Sequence, residues 1–261
     1  RGKKEQKMRQ RLIMGSESHP SCILECVIGL PQGLFYGTGI PASLLIINKA
    51  NATNRQGVFF INADREYKEG KNQNSLRPED IEKISYVYHN KIEIEGYSRM
   101  VSKETLKAED YNCNIRRYVD NSEPPTPQDV RAHLQGGIPE AELLALKAEF
   151  DCYKGLQNKL FTAATDGYAH FADAVKEKAD IKTIIGESKG KQQVADDYHK
   201  AIETFWTASD TDLDSLHGGS LFDFNNNLTD RFVATLTNLN VLDKYQVRGS
   251  FAHFSDTLKS D

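Results

Sequence analysis

Three short apolar runs, CILECVIGLP (22–31), IPASLLIINK (40–49) and RQGVFFINAD (55–64), constrain this chain more than any other feature. Each has strand length, each is rich in β-branched or aromatic residues, and none shows a helical period. The one helix expected before them, residues 3 to 14, places Met8, Leu12 and Ile13 on one side and is broken by GSESHP. Three strands and one helix do not close a core. The runs therefore belong to a larger sheet. The short polar segment KANATNRQ between the second and third predicts that these two form an antiparallel pair at the sheet edge, and the second is expected to be a buried strand.

A chain of 261 residues has room for one large domain or two ordinary ones. Hydrophobic residues at 39% and charged residues at 27% describe a globular protein. No apolar run approaches the roughly 18 residues of a membrane span. The basic start RGKKEQKMRQRL has no apolar segment after it, so no signal peptide is expected, and the chain reads as cytoplasmic with no membrane partner. The absence of an initiating Met and the stop at TLKSD within a helical pattern suggest an excised piece. Cys22, Cys26, Cys113 and Cys152 form no CxxC pair and have no His at ligand spacing, which argues for reduced thiols and no metal. A net charge of -4 argues against a generic nucleic-acid coat but leaves room for local basic surface at Arg1, Lys3, Lys4, Lys7, Arg9 and Arg11, and at Arg116 and Arg117. A solvated face is the ordinary reading of such clusters.

Downstream, LRPEDIEKISYVYHN reads as a helix, with Pro78 in the first turn and Glu79 and Asp80 at its positive end. Periodicity then fades, and Pro124, Pro125 and Pro127 predict an extended connection. The expected division is 1–94, 95–137 as an extended linker, and 138–261 as a helical region. In the last, AELLALKAEFDCYKGLQNKLF is the clearest amphipathic segment, followed by GYAHFADAVKEKADIKTII, QVADDYHKAIETFWTA, LTDRFVATLTNLNVL and DKYQVRGSFAHFSDTL. No repeat of fixed period is present.

The loop LPQGLFYGTGIPA sets Phe35 and Tyr36 beside Gly37, Thr38 and Gly39 at the mouth of the second strand. Core packing around a turn and a platform for a flat ligand both account for it. Gly37 and Gly39 supply the freedom to take φ > 0 and fold the loop closely. Asp64, Arg65 and Glu66, adjacent at a strand end, point different ways and read as a polar turn. His89, His170 and His199 fall within helical patterns, and no Ser-His-Asp or Cys-His set can be assembled. No catalytic residue is expected within the chain.

VIGLPQGLFYGTGIPASLLIINK (27–49), GVFFINAD (57–64), GYSRMVSKETLKAEDYNCNIRRYVD (96–120) and NVLDKYQV (240–247) resemble, in order and over nearly the whole chain, the modification (M) subunit of type I restriction-modification systems, a DNA adenine N6-methyltransferase. The resemblance implies a mixed α/β plus α fold: the C-terminal portion of a Rossmann-like methyltransferase sheet, three strands with helices, followed by an all-helical C-terminal region that docks the specificity (S) subunit. It implies S-adenosylmethionine as cofactor of the full-length enzyme, with DNA, the S subunit, a second M subunit and the restriction (R) subunit as partners. In related adenine methyltransferases an aromatic before the matching strand stacks on the extruded adenine; Phe35 holds that position, with Tyr36 its neighbour. Arg116 and Arg117 are the candidates for phosphate or partner contact. The glycine-rich cofactor turn and the Asn-Pro-Pro-aromatic motif have no counterpart here. EPPT at 123–126 has Glu for Asn and Thr for the aromatic, and Gly37-Thr38-Gly39 precedes a strand where the cofactor turn precedes a helix. The piece is therefore expected neither to bind the cofactor nor to be active alone. The competing reading is a non-catalytic interaction module that docks a DNA-specificity subunit.

Overall fold

The structure, a computed structural model, describes residues 2–122, 128–163, 165–214 and 220–259. It divides into two compact units, one formed by Arg1–Pro124 with Ala252–Asp261 and the other by Pro125–Phe251. The stretch 123–127, which holds EPPT and the three linker prolines, lies outside the described residues.

The first unit begins with helix α1 (Lys3–Met14) and continues through strands β1 (Leu24–Gly29), β2 (Ser43–Ile47) and β3 (Gly57–Asn62), helix α2 (Pro78–Asn90), strand β4 (Ser98–Ser102) and helix α3 (Lys103–Ala108). The four strands form one sheet in the order β2-β1-β3-β4. β1 runs antiparallel to β2, with Val27 opposite Leu45, and parallel to β3, with Val27 opposite Phe60. β3 and β4 are antiparallel from Gly57 opposite Ser102 to Ile61 opposite Ser98.

This order corrects two expectations. β2 and β3 do point in opposite directions, but β1 lies between them, so the segment 48–56 is a crossover and not a hairpin turn. β2 is also not buried. It forms the sheet edge, and Leu44, Leu45 and Ile47 are each about half exposed. An apolar strand is buried only where something covers it, and among the described residues β2 pairs through β1 alone.

β1 and β3 are apolar on both sides because both faces of the sheet centre are covered. On one face Val27, Val58 and Phe60 meet Ile13 of α1, Leu106 of α3, and Ile115, Tyr118 and Val119. The Phe60 and Tyr118 rings lie 4.8 Å apart. On the other, Phe59 lies under Lys91, and α2 packs with Val87 fully buried. β4 approaches so closely that a Cβ on Gly57 would stand 2.2 Å from the Val101 carbonyl oxygen, so only glycine fits there. The expected linker 95–137 accordingly starts inside this unit: Ser98–Ser102 is a paired strand, and Ile115–Arg117 a 3-10 turn whose Ile115 is buried.

The second unit contains α4 (Val130–Gln135), β5 (Ile138–Pro139), α5 (Glu140–Ala145), α6 (Lys147–Cys152), α7 (Leu156–Leu160), β6 (Tyr168–Ala169), α8 (Lys178–Gly186), α9 (Lys189–Asp214), α10 (Leu221–Thr237) and the first half of α11 (Lys244–Lys259), as far as Phe251. Its core joins Phe205 of α9, Leu228, Phe232 and Leu236 of α10, and Val247 and Phe251 of α11. The region is helix-rich but not all helical, since β5 and β6 pair antiparallel. The amphipathic segment 141–161 is three short helices: the chain leaves the helix at Tyr153, with ψ near 74°, and Gly155 is left-handed at φ 79°. Among the described residues no helix is long and apolar enough to cross a membrane.

Candidate functional site

The parallel pair β1 and β3 ends at Gly29 and Asn62, and ligands of sheets built this way bind outside the carboxyl ends of such strands. Ala63 donates its N–H to the Gly29 carbonyl at 3.0 Å, and the Asn62 side chain donates to the Val119 carbonyl at 3.1 Å. These bonds bring loops 30–42 and 63–77 and the segment 115–119 to one end of the sheet.

Loop 30–42 is closed at its base by the Leu30 N–H, which donates to the Ala42 carbonyl at 2.9 Å. Its rising limb is clamped by the neighbouring loop. The Asn74 backbone donates to the Gly33 carbonyl at 2.9 Å, the Asn74 side chain to the Gln32 carbonyl at 2.9 Å, and the Gln73 side chain to the Leu34 carbonyl at 2.5 Å. Phe35 follows directly. Its side chain is 54% exposed, that of Tyr36 86% and that of Ile40 75%. Neither ring belongs to the core.

Gly37 turns the tip with φ 75° and has open space where a Cβ would stand. The Thr38 hydroxyl oxygen accepts the Ile40 N–H at 3.1 Å. Gly39 departs from expectation, since its φ lies outside the left-handed region and the turn needs positive φ only at Gly37. Gln73 and Asn74 escaped the sequence reading. They are 39 and 42 residues from the carbonyls they hold, and a side chain that grips backbone leaves no residue pattern at the gripped end.

The two candidate arginines are not free cations. Arg116 donates to Asp64 through Nε at 3.2 Å and Nη2 at 2.8 Å, and this bond and charge raise its pKa. Asp64 also accepts from Asn121 at 2.6 Å. Arg117 pairs with Glu109. Arg116 thus shares the carboxyl end of β3 with the aromatic loop, while Arg117 turns toward α1. Asp64 and Arg65 form the expected turn, and Glu66 pairs with Lys83. Burial pushes the Cys26 thiol up to about 12, so it stays protonated at neutral pH and is no nucleophile. Among the described residues no group of three or more His, Cys, Asp or Glu is placed to hold a metal ion.

Residues 1–125, just under half of the chain, match the model of the N-6 DNA Methylase family. More particularly, the chain is similar to type I restriction enzyme methylase subunits. The MjaVII methylase subunit of Methanocaldococcus jannaschii is 37% identical over 139 residues, 52% of this chain and 23% of its own length. The MpnII methylase subunit of Mycoplasma pneumoniae is 28% identical over 128 residues, 49% of this chain and 22% of its own. A solved type I restriction-modification methyltransferase subunit from Streptococcus thermophilus aligns at 36% identity over 47% of this chain and 24% of its own, with a TM-score of 0.41. The resemblance thus extends over about half of the chain rather than nearly all of it. The chain spans less than a quarter of the length of the curated relatives it matches.

Rings that follow a clamped backbone and are free at their faces can be removed without loss of packing. Phe35→Ala and Tyr36→Ala should each shift the unfolding free energy in a urea titration by no more than about 0.5 kcal/mol, as exposed substitutions do. A loss of about 3 kcal/mol or more would mark a core ring.

Proposed function

We propose that this chain forms the target-base side of a DNA adenine N6-methyltransferase and is part of the modification subunit of a type I restriction-modification system acting in the cytoplasm. The observation that carries the reading is the exposed Phe35–Tyr36 pair, held at the carboxyl end of a parallel strand pair by Gln73 and Asn74. An enzyme that modifies the exocyclic amine of adenine must take the base out of the stack. An exposed aromatic face replaces lost stacking with roughly 1 to 3 kcal/mol per base. Phe35 supplies that face, Tyr36 flanks it, and the Gly37-Thr38-Gly39 tip sets its approach. Arg116 and Arg117 are secondary contacts for phosphate or a partner, since an incoming anion must compete with Asp64 and Glu109. In the full-length subunit, Phe35→Ala should lower adenine methylation roughly 5- to 150-fold, the kinetic equivalent of that stacking energy, without unfolding the protein. A normal methylation rate with normal DNA affinity rules the platform out.

The open, apolar edge of β2 supports a Rossmann-like sheet that continues past it, because an unpaired apolar edge is the place where another strand adds. S-adenosylmethionine serves the full-length enzyme. The Gly37–Gly39 turn leads into strand β2, so it does not have the strand-turn-helix order that cradles the cofactor. Calorimetric titration of this chain with S-adenosylmethionine should show no saturable heat; micromolar binding refutes this part of the proposal.

Residues 138–261 dock the specificity subunit, in an assembly that also contains DNA, a second modification subunit and the restriction subunit. Leu143 and Leu156 are buried within the helical unit, whereas Leu144 and Leu146 remain exposed and leave apolar surface for a partner helix. Deleting 138–261 from the full-length subunit should abolish co-purification with the specificity subunit. Undiminished complex formation defeats the docking role, and docking without any loss of methylation in Phe35→Ala favours a non-catalytic interaction module.

A further inference from the structure

Helix α1 carries a charge pattern that works against its own stability. Lys3, Lys4, Lys7, Arg9 and Arg11 against Glu5 leave five minus one, or +4, on 12 residues of a chain whose net charge is -4. At about 100° per residue, Lys3, Lys7, Arg11 and Lys4 fall within a sector of about 100°. All four are exposed, and buried Ile13 points away from them. Among the described residues none of the four has an ion-pair partner. Arg9 lies outside the sector and donates to the Tyr111 carbonyl at 2.8 Å.

Two features of this stripe oppose helix formation. Lys3 and Lys4 occupy the first turn, where the helix dipole favours acids, and Lys3–Lys7 and Lys7–Arg11 are like-charge neighbours at i,i+4. In its first turn α1 sets one acid, Glu5, against these lysines, whereas α2, on the other face of the same sheet, has Glu79 and Asp80 there and no lysine. The basic stripe is also directed. The Ile23 N–H donates to the Leu12 carbonyl at 2.9 Å, which ties the end of α1 to the start of β1. Near its beginning Gln6 reaches Asp110 at 3.2 Å and Lys3 lines one groove with Asn114 and Arg117, on either side of the Ile115 that lies against Gly29, so α1 runs antiparallel to β1 and its first turn points toward the sheet end that bears Phe35.

We propose that the Lys3–Lys4–Lys7–Arg11 face of α1 is a contact surface for the phosphate backbone of the duplex whose base Phe35 receives, an assignment that rests on the methyltransferase reading above. From Lys3 to Arg11 the stripe is about 12 Å long at 1.5 Å per residue, which matches about three or four phosphates of one strand at 3.4 Å each along the axis. Phosphate contact is sequence-independent and positions the duplex, leaving base selection to other surfaces.

The test is fluorescence anisotropy of a labelled duplex of arbitrary sequence with this 261-residue chain across a KCl series, comparing wild type, the triple variant Lys3→Gln, Lys7→Gln, Arg11→Gln, and a control triple Lys176→Gln, Lys178→Gln, Lys182→Gln. Glutamine keeps helix propensity, and circular dichroism verifies the fold. The slope of log K against log salt should become shallower by about 2 to 3 in the α1 variant, near 0.9 per lost phosphate contact, and stay unchanged in the control. An unchanged slope in the α1 variant overturns the proposal and directs attention to an acidic protein partner; an equal change in the control, or no salt-dependent binding by wild type, overturns it as well. The methyltransferase reading fails separately, through normal methylation by Phe35→Ala in the full-length subunit, which leaves a flattened slope in the α1 variant intact.

Discussion

The first unit depends on a central strand whose single charge must be satisfied. β1 lies between β2 and β3, with apolar side chains on both faces, yet its second residue is Glu25. Burial works against ionisation there, but hydrogen bonds from Asn48 and Lys91, together with the Lys91 charge, hold the carboxyl below its ordinary range. Its oxygens accept Asn48 Nδ2 at 2.9 Å and Tyr88 OH at 3.1 Å, with Lys91 at 3.2 Å. One carboxylate thus joins the start of β1 to the end of β2 and the end of α2. An uncompensated charge in that place would be costly, so its partners fix where those elements finish.

From that fixed end the other end of the sheet follows. Both α1 and α2 run antiparallel to β1, so the first turns of both point toward the carboxyl ends of β1 and β3, where loop 30–42 emerges. The loop is not part of the core. Its base is closed by one backbone bond and its limb by Gln73 and Asn74, which leaves the ring faces at the tip open. The loop is therefore anchored through its backbone up to Leu34, and the side chains of Phe35 and Tyr36 beyond it stay exposed.

What could be read in the sequence divides along the same physical line. β1 and β3 were legible because covered strands are continuous apolar runs. β4 was not, since SRMVS has only Ser98 and Val101 buried and shows no apolar run. The strand order escaped as well: pairing is set by what covers each face and not by the segment between two runs. β2 shows this clearly, for its composition is that of a buried strand and its position is that of an edge. In the helical unit, the apolar period of 141–161 was real, but Gly155 in a left-handed conformation outweighs it. At the site, the aromatic-glycine loop was visible as a motif. The clamp that positions it was not, because it acts on carbonyls that every residue possesses.

The edge of β2 and the tip of the loop pose one energetic question. Leu44, Leu45, Ile47, Ile40, Phe35 and Tyr36 follow one another along a short segment and all keep much of their surface in solvent. Scattered apolar exposure is ordinary; a continuous run along an unpaired strand edge invites association. Natural edges are usually blunted by a charge, a proline or a bulge, and between Ser43 and Ile47 there is no charge or proline to do so. The irregularity in the β1–β2 register falls between Leu24 and Cys26, on the partner strand. A further strand along β2 would remove this exposure while leaving the loop tip at the sheet end, because strand addition consumes backbone groups along the edge and not side chains beyond its terminus. On the methyltransferase reading, the same step that extends the sheet therefore leaves Phe35 and Tyr36 as the part of the run that still faces solvent, available to an extruded base.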